Sequence, residues 1–158
     1  MIYPNNFEKK IGFEEIRTML KGRCLSSLGT ERVDKMTFSS DHANVQEQLN
    51  RVREFSTLIS QDINFPDENF YDVRASLLHI RLEGTFMEET ELFDLKRSLE
   101  TIYNIVKLLC PVIDEESDEP TPYPALYRLA KDVTTYPDIA KGINKILNAF
   151  GRINDNAS

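Results

Sequence analysis

The chain has 158 residues, of which 41% are hydrophobic and 28% are charged. This length supports one domain with its own core, without disulfides or a metal, and the composition excludes wholesale disorder. The formal net charge of −7 does not favour a self-sufficient nucleic-acid-binding domain, because phosphate contacts need clustered lysine and arginine side chains.

The N-terminal residues predict three short helices before a polar break. A first turn is expected over residues 7–11, and Gly12 interrupts it. The apolar face of a second helix consists of Phe13, Ile16, Leu20 and Cys24. Ser26 or Ser27 can cap a third helix over residues 28–36. The polar break that follows consists of Thr37, Ser39 and Ser40.

A long helix is expected to begin after Asp41, whose carboxylate suits an N-cap. Its buried stripe is expected to consist of Val45, Leu49, Val52 and Ile59, with Phe55 and Leu58 beside it. Its solvent face is expected to carry Gln46, Glu47, Asn50, Arg53 and Glu54. Residues 62–69 contain Pro66 and short polar residues, which predicts a loop.

Two helices are expected after this loop. Asp72 can cap the first, and Gly84 supplies its left-handed C-terminal stop. Its inward-facing residues are expected to be Val73, Leu77 and Ile80. The second helix has the clearest helical period in the chain, formed by Leu92, Leu95, Leu99, Ile102, Val106 and Leu109. Met87 and Leu92 can form a hydrophobic staple, and Pro111 ends the helix.

Residues 112–122 are acidic and proline-rich, which predicts a mobile loop, either a solvated insertion or a site for basic partners. Two shorter helices follow, opened by Pro124 and Pro137, and Gly151 stops the last one. Their apolar positions are Leu126, Leu129 and Val133, then Ile139, Ile143, Ile146, Leu147 and Phe150. No segment alternates with a period of two between hairpin turns. The predicted fold class is all-α, an irregular helical bundle.

The remaining features indicate a cytoplasmic protein without a membrane segment. The N-terminus is polar, and apolar runs are only a few residues long. Cys24 and Cys110 are far apart and outside any Cys-X-X-Cys pattern, so free thiols in a reducing compartment are expected. Residues 154–158 are of cap type, and Ser158 resembles the start of a further helix, which favours a chain cut at that point.

No catalytic, cofactor-binding or metal-ligating residue is predicted in this segment. The glycines form no phosphate-binding loop, and His42 and His79 lie in different predicted helices. Arg74, Arg81, Lys96 and Arg97 are candidate nucleic-acid contacts. A solvated helix face explains these four basic residues better, because acidic residues are interspersed among them.

Several short segments occur in a characteristic order. They are Phe13-Glu14-Glu15-Ile16, Cys24-Leu25-Ser26-Ser27-Leu28-Gly29 with Arg32, Val52-Arg53-Glu54-Phe55, Asp72-Val73-Arg74, Gly84 before Leu92, and Gly151-Arg152-Ile153-Asn154-Asp155-Asn156-Ala157-Ser158. Together they resemble the N-terminal region of the MutS family over essentially the whole chain. The resemblance is to the bacterial type-two branch, the MutS-like endonucleases, which begins directly with the helical core, or lever, domain.

The resemblance implies that residues 1–158 are an N-terminal core or lever segment, the first half of a MutS core domain. It implies that the coiled-coil clamp, the ATPase domain and the C-terminal Smr nuclease domain lie outside this chain. The parent is then a homodimer that binds ATP and Mg, acts on DNA or the ribosome, and serves in DNA repair, suppression of recombination or ribosome rescue. The lever couples its ATPase state to the nucleic-acid clamp.

Two other functions stay open at this point. A free-standing helical protein-interaction module is the principal alternative, with the acidic loop or an exposed helix face as its binding site. A small helical enzyme is the third hypothesis, and it requires a deep pocket with converging polar groups.

Overall fold

The fold is given by a computed structural model that describes residues 6–61, 63–111 and 121–154. Eight helices lie in these ranges: α1 Phe7–Lys10, α2 Phe13–Lys21, α3 Ser27–Asp34, α4 His42–Ser60, α5 Arg74–His79, α6 Glu89–Leu109, α7 Pro124–Ala130 and α8 Pro137–Ile146. An isolated antiparallel bridge joins Leu147 to Ile153. The predicted all-α class is confirmed.

The chain divides into two compact units, residues 1–38 and residues 39–158. The polar break predicted around Thr37 and Ser39 coincides with this boundary. The assignment of the whole chain to one core or lever segment stays a prediction. Most of the predicted acidic loop at 112–122, and the predicted helix start at Ser158, lie outside the described residues.

Arg17 organises the first unit. Its guanidinium pairs with Glu8 at 2.7 Å and with Glu14 at 2.6 Å, which joins α1 to α2. It also donates to the carbonyl oxygen of Met36 at 2.7 Å and lies 4.9 Å from the centroid of the Phe13 ring. One arginine on α2 therefore holds the helix before it and the segment that follows α3.

Two apolar clusters form the interior of the second unit, and α6 contributes to both. The first cluster consists of Leu58, Leu109, Tyr123, Leu126 and Ala130, from α4, α6 and the region of α7. The second consists of Leu95, Ile143 and Leu147, from α6 and the end of α8. Met87 and Leu92, the two residues of the predicted hydrophobic staple, both pack against the second cluster.

The helix starts follow the cap residues of the sequence in most cases. The Ser26 hydroxyl accepts a hydrogen bond from the Gly29 amide, and the Asp41 carboxylate accepts one from the Asn44 amide. Pro124 and Pro137 occupy first turns, as predicted. At the start of α1 the side chain of Asn6 forms no capping bond to the described residues.

The predicted inward face of α4 is wrong. The predicted stripe residues Val45, Leu49, Val52 and Ile59 are 39–66% exposed, whereas Leu58, which was placed beside the stripe, is buried. The inward face instead carries Glu47 and Glu54, which contact α7 through hydrogen bonds. Polar contacts between helices, which hydrophobic periodicity does not register, set the rotation of α4.

The inward faces of α5 and α8 also differ from the prediction. Leu77 and Ile80 are exposed. On α8 the predicted positions Ile143 and Leu147 are buried, together with Ala140, which was not predicted, whereas the predicted positions Ile139, Ile146 and Phe150 are exposed. The short side chain of Ala140 lets α8 approach α6 closely, and a pattern search weighted toward large apolar residues misses it. The helix ends at Ile146, before the predicted stop at Gly151.

Replacement of glycine by alanine should have opposite effects on stability at Gly151 and at Gly142. Gly151 has φ +75°, and an added Cβ would lie 2.8 Å from ring atoms of Phe93, so Gly151→Ala should destabilise the fold by about 1–3 kcal/mol. Gly142 lies inside α8, with no described heavy atom within 4 Å of an added Cβ, so Gly142→Ala should stabilise by about 0.5–1 kcal/mol. Urea unfolding measures both; shifts of the same sign contradict the prediction.

Candidate functional site

The predicted basic residues Lys96 and Arg97 lie next to each other on α6 and share an aromatic neighbour. The Lys96 ammonium lies 5.5 Å from the centroid of the Phe93 ring, and the Arg97 guanidinium lies 4.5 Å from it. Arg97 also lies 4.4 Å from the centroid of the Tyr71 ring. Arg97 therefore packs against two rings, which restricts its freedom to reach an external phosphate.

Three of the four predicted cations already have a carboxylate partner. The pairs are Arg97–Asp94 at 2.7 Å, Lys96–Glu100 at 3.6 Å and Arg74–Asp72 at 2.6 Å. Arg81 follows α5 and has an exposed side chain. A nucleic-acid phosphate would have to compete with a neighbouring carboxylate at three of these positions. The nucleic-acid contacts assigned to the four residues stay a prediction.

The segment before α5 lies along α6, held by two buried hydroxyl groups. Ser98 donates to the carbonyl oxygen of Asn69 at 3.3 Å, and Thr101 donates to that of Glu68 at 3.1 Å. Between segment and helix is an open cavity of about 410 Å³, lined by polar groups that include Asn64, Asp67, Arg97, Glu100 and Asn104. The sequence did not indicate this cavity, because it arises from the path of a loop.

Glu54 on α4 caps the N-terminus of α7. Its carboxylate accepts hydrogen bonds from the amide of Ala125 at 2.8 Å and from the amide of Leu126 at 2.9 Å. The first amides of a helix have no acceptor within the helix, and the helix dipole favours a negative charge at that end. The sequence placed Glu54 on the solvent face. The sequence signal for this contact is Tyr123, which lies at the N-cap position before Pro124 and forms no side-chain cap, so the helix needs an acceptor from elsewhere.

Two further polar contacts join α4 to α7, one on each side of Glu54. Glu47 pairs with Arg128 at 2.7 Å, and this hydrogen bond is the main reason that the pKa of Glu47 is lowered. Gln61, directly after α4, accepts from the Tyr123 hydroxyl at 2.5 Å. The positions 47, 54 and 61 are seven residues apart, so they lie on one face of α4. The three contacts fix both the rotation and the antiparallel direction of the two helices.

Ser76 connects α5 to the start of α6. Its hydroxyl donates to the Glu91 carboxylate at 2.6 Å. The same carboxylate accepts from the Glu88 amide at 3.0 Å, as part of the capping box of α6. The hydrogen bond from Ser76, followed by the one from Glu88, lowers the pKa of Glu91. Both bonds are stronger to the ionised carboxylate than to the protonated acid, so they favour the charged form.

The polar contacts described above join helices to one another. No group of three or more His, Cys, Asp or Glu side chains within these residues is placed to hold a metal ion. Cys24 and Cys110 are free thiols, and burial raises the pKa of Cys110. No helix in the described part of the chain has the length and apolar character needed to cross a bilayer.

Comparison with known proteins finds relatives at low identity. No protein-family model and no solved structure matches the chain. It is 26% identical over 146 residues to Endonuclease MutS2 of Geobacillus sp. and 24% identical over 150 residues to that of Levilactobacillus brevis, covering 92% and 95% of this chain. It is 23% identical over 146 residues, again 92% of this chain, to the putative endonuclease MutS2 of Bacillus subtilis. The chain spans 18% of the length of each of these relatives.

Removal of the Glu54 carboxylate is expected to weaken the second unit. Glu54→Ala leaves the amides of Ala125 and Leu126 without their acceptor, and both residues are buried. The expected loss is about 2–3 kcal/mol of unfolding free energy, with part of it restored in Glu54→Gln. Asp138→Ala, which removes an exposed carboxylate from the first turn of α8, should change stability by less than about 1 kcal/mol. Equal effects of Glu54→Ala and Asp138→Ala in urea unfolding would refute this role.

The lowered pKa of Glu91 predicts an acid-sensitive contact. A depressed pKa adds stability that is present above the ordinary value of 4.5 and is lost as pH falls through the lower folded-state value. Ser76→Ala removes the largest cause of the shift, so the variant should lose less stability than the parent chain below pH 4.5. Ser60→Ala, where the hydroxyl donates to a backbone carbonyl, serves as control. In thermal unfolding between pH 3 and pH 7, the change of stability with pH should match that of the parent chain for Ser60→Ala and should be smaller for Ser76→Ala.

Proposed function

Because the chain is a distant relative of the bacterial type-two MutS proteins, we propose that it is a structural segment of a MutS-like DNA-processing protein. The similarity over 92% of the chain to proteins named Endonuclease MutS2 carries this proposal. Within such a protein the segment acts as a lever that couples the ATPase state to a nucleic-acid clamp. The segment itself is not the enzyme.

The contacts of the second unit support a lever. The 21 residues of α6 span about 31 Å and pack against both apolar clusters. The three polar contacts at positions 47, 54 and 61 connect α4 and α7 as a rigid pair. Packed helices that move as rigid elements are a physical means of transmitting a displacement between distant sites.

The other properties belong to the longer protein in this proposal. It binds ATP and Mg, forms a homodimer and has endonuclease activity, and DNA is its main partner. The ribosome is the alternative target. In this segment the paired state of Lys96, Arg97 and Arg74 favours a mechanical role over direct DNA contact.

A free-standing protein-interaction module is the second candidate. The observation that favours it is the exposed apolar surface of the second unit, above all Phe150, which is 87% exposed. In a lever segment the same surface is covered by the remainder of the longer protein. In the lever the partner that covers this surface belongs to the same polypeptide, and in the interaction module it is a separate protein.

A chimera tests the lever, with the matched 146 residues of the Geobacillus relative replaced by this chain. The isolated chain should hydrolyse no ATP, and the chimera should retain ATP hydrolysis and DNA cleavage. Glu54→Ala in the chimera should reduce the effect of ATP on DNA affinity about 2- to 30-fold, with ATP hydrolysis retained, because it loosens α4 from α7. Asp138→Ala should leave that effect unchanged. ATP turnover by the chain alone, or equal coupling in the two variants, would contradict the proposal.

A further inference from the structure

An apolar seam runs along α4 on the face that points away from α7. We define the α4 seam as Val45, Leu49, Val52 and Ile59, which are 39%, 53%, 66% and 49% exposed. Their spacings are four, three and seven residues, and Ser56 occupies the intermediate position. Four large aliphatic side chains on one face, each more than one-third exposed, form a hydrophobic strip on the surface of the second unit that is interrupted at Ser56.

The direction of this seam is fixed by the contacts on the other side of the helix. With about 100° of rotation per residue, the centre of the seam lies about 155° from Glu47, about 175° from Glu54 and about 135° from Leu58. Glu47 and Glu54 bond to α7, and Leu58 is fully buried in the first apolar cluster. Turning the seam inward would break these contacts. The seam is therefore a stable surface of the unit rather than a core face that has not yet packed.

The spacing of the seam specifies the shape of its partner. Alternation of four and three residues is the pattern by which one helix packs along another, with apolar side chains inserted between those of the facing helix. The residues that flank the seam are mainly uncharged, with Arg53 as the flanking cation. They are Gln46, Gln48, Arg53 and Ser60. A helix with an apolar stripe of the same period, and a carboxylate opposite Arg53, complements this surface.

The size of the seam argues for a partner in the same polypeptide. Stable interfaces between separate proteins use roughly 20–30 residues on each side. The seam spans 15 residues of one helix face, from Val45 to Ile59, and a second copy would be held weakly by this surface alone. A helix tethered to the same chain has a much higher effective concentration and needs less area. The MutS2 relatives have more than four-fifths of their length outside the matched segment.

We propose that the α4 seam is the docking site of an amphipathic helix that the longer MutS-like protein supplies from the same polypeptide. The docked helix has apolar residues in heptad spacing and a carboxylate that faces Arg53. The proposal rests on the proposed function and adds to it a partner for α4. The seam then connects the matched segment to the part of the protein whose motion it transmits.

Thiol accessibility tests the proposal. Leu49→Cys is introduced into the isolated chain and into the Geobacillus chimera, and alkylation by iodoacetamide is followed by site-resolved mass spectrometry. The introduced thiol should react at least about tenfold more slowly in the chimera. Ala43→Cys, at an exposed position of α4 about 120–180° from the seam residues around the helix, should react at rates within about twofold in both proteins. Cys110, which is half-buried, reports whether the segment keeps its fold.

Each outcome supports or overturns the proposal. An active chimera in which the Leu49→Cys thiol reacts as in the isolated chain overturns the docking and leaves the proposed function standing. An inactive chimera in which that thiol is protected supports the docking and counts against the lever. A chimera in which Cys110 also becomes reactive counts against both. In the isolated chain, the Leu49→Cys thiol could become protected as the protein concentration rises, together with a dimer mass by light scattering. That result identifies a second copy as the occupant and overturns the tethered helix.

Discussion

The carboxylate of Glu54 at the N-terminus of α7 determines much of the second unit. Pro124 carries no amide proton, and the amides of Ala125 and Leu126 need an acceptor. The hydroxyl of Tyr123 is committed to Gln61, so the acceptor comes from another helix. Once Glu54 turns toward α7, Leu58 four residues later turns with it into the first apolar cluster. The burial of Leu58 and the exposure of the α4 seam are both consequences of this rotation.

The same rotation shows which parts of the fold the sequence could predict. Cap residues act through bonds to the next few amides, so Ser26 and Asp41 located the starts of α3 and α4 correctly. The face that a helix buries depends on partners more than 60 residues away, such as Ala125 for Glu54. Apolar periodicity shows that α4 has an apolar face, but it does not show that the polar face is the one that packs against α7. For that reason the class and the elements agree with the prediction, while the inward face of α4 does not and that of α8 agrees at Ile143 and Leu147 alone.

The surroundings of the predicted basic residues show the same limit. Arg74, Lys96 and Arg97 are identifiable in the sequence as cations on two neighbouring helices. Their partners Asp72, Asp94 and Glu100 are two to four residues away, so the pairing was within reach of sequence reasoning. The contact of Arg97 with Tyr71 depends on how the segment before α5 lies along α6, which Ser98 and Thr101 determine. Local pairs were predictable, and the aromatic contact across elements was not.

The interior of the second unit is small for the number of helices it joins. In the described residues Leu58 is the one large side chain that is fully buried, and many aliphatic residues of α4, α5 and α8 remain exposed. Hydrogen bonds at helix ends, such as those of Glu54 and Glu91, join helices of this unit beside the apolar clusters. Such contacts are directional, so they hold helices in a defined orientation while leaving their outer faces available. A segment that receives motion from one neighbour and passes it to another needs both properties, a fixed interior orientation and apolar outer faces on which its neighbours can pack.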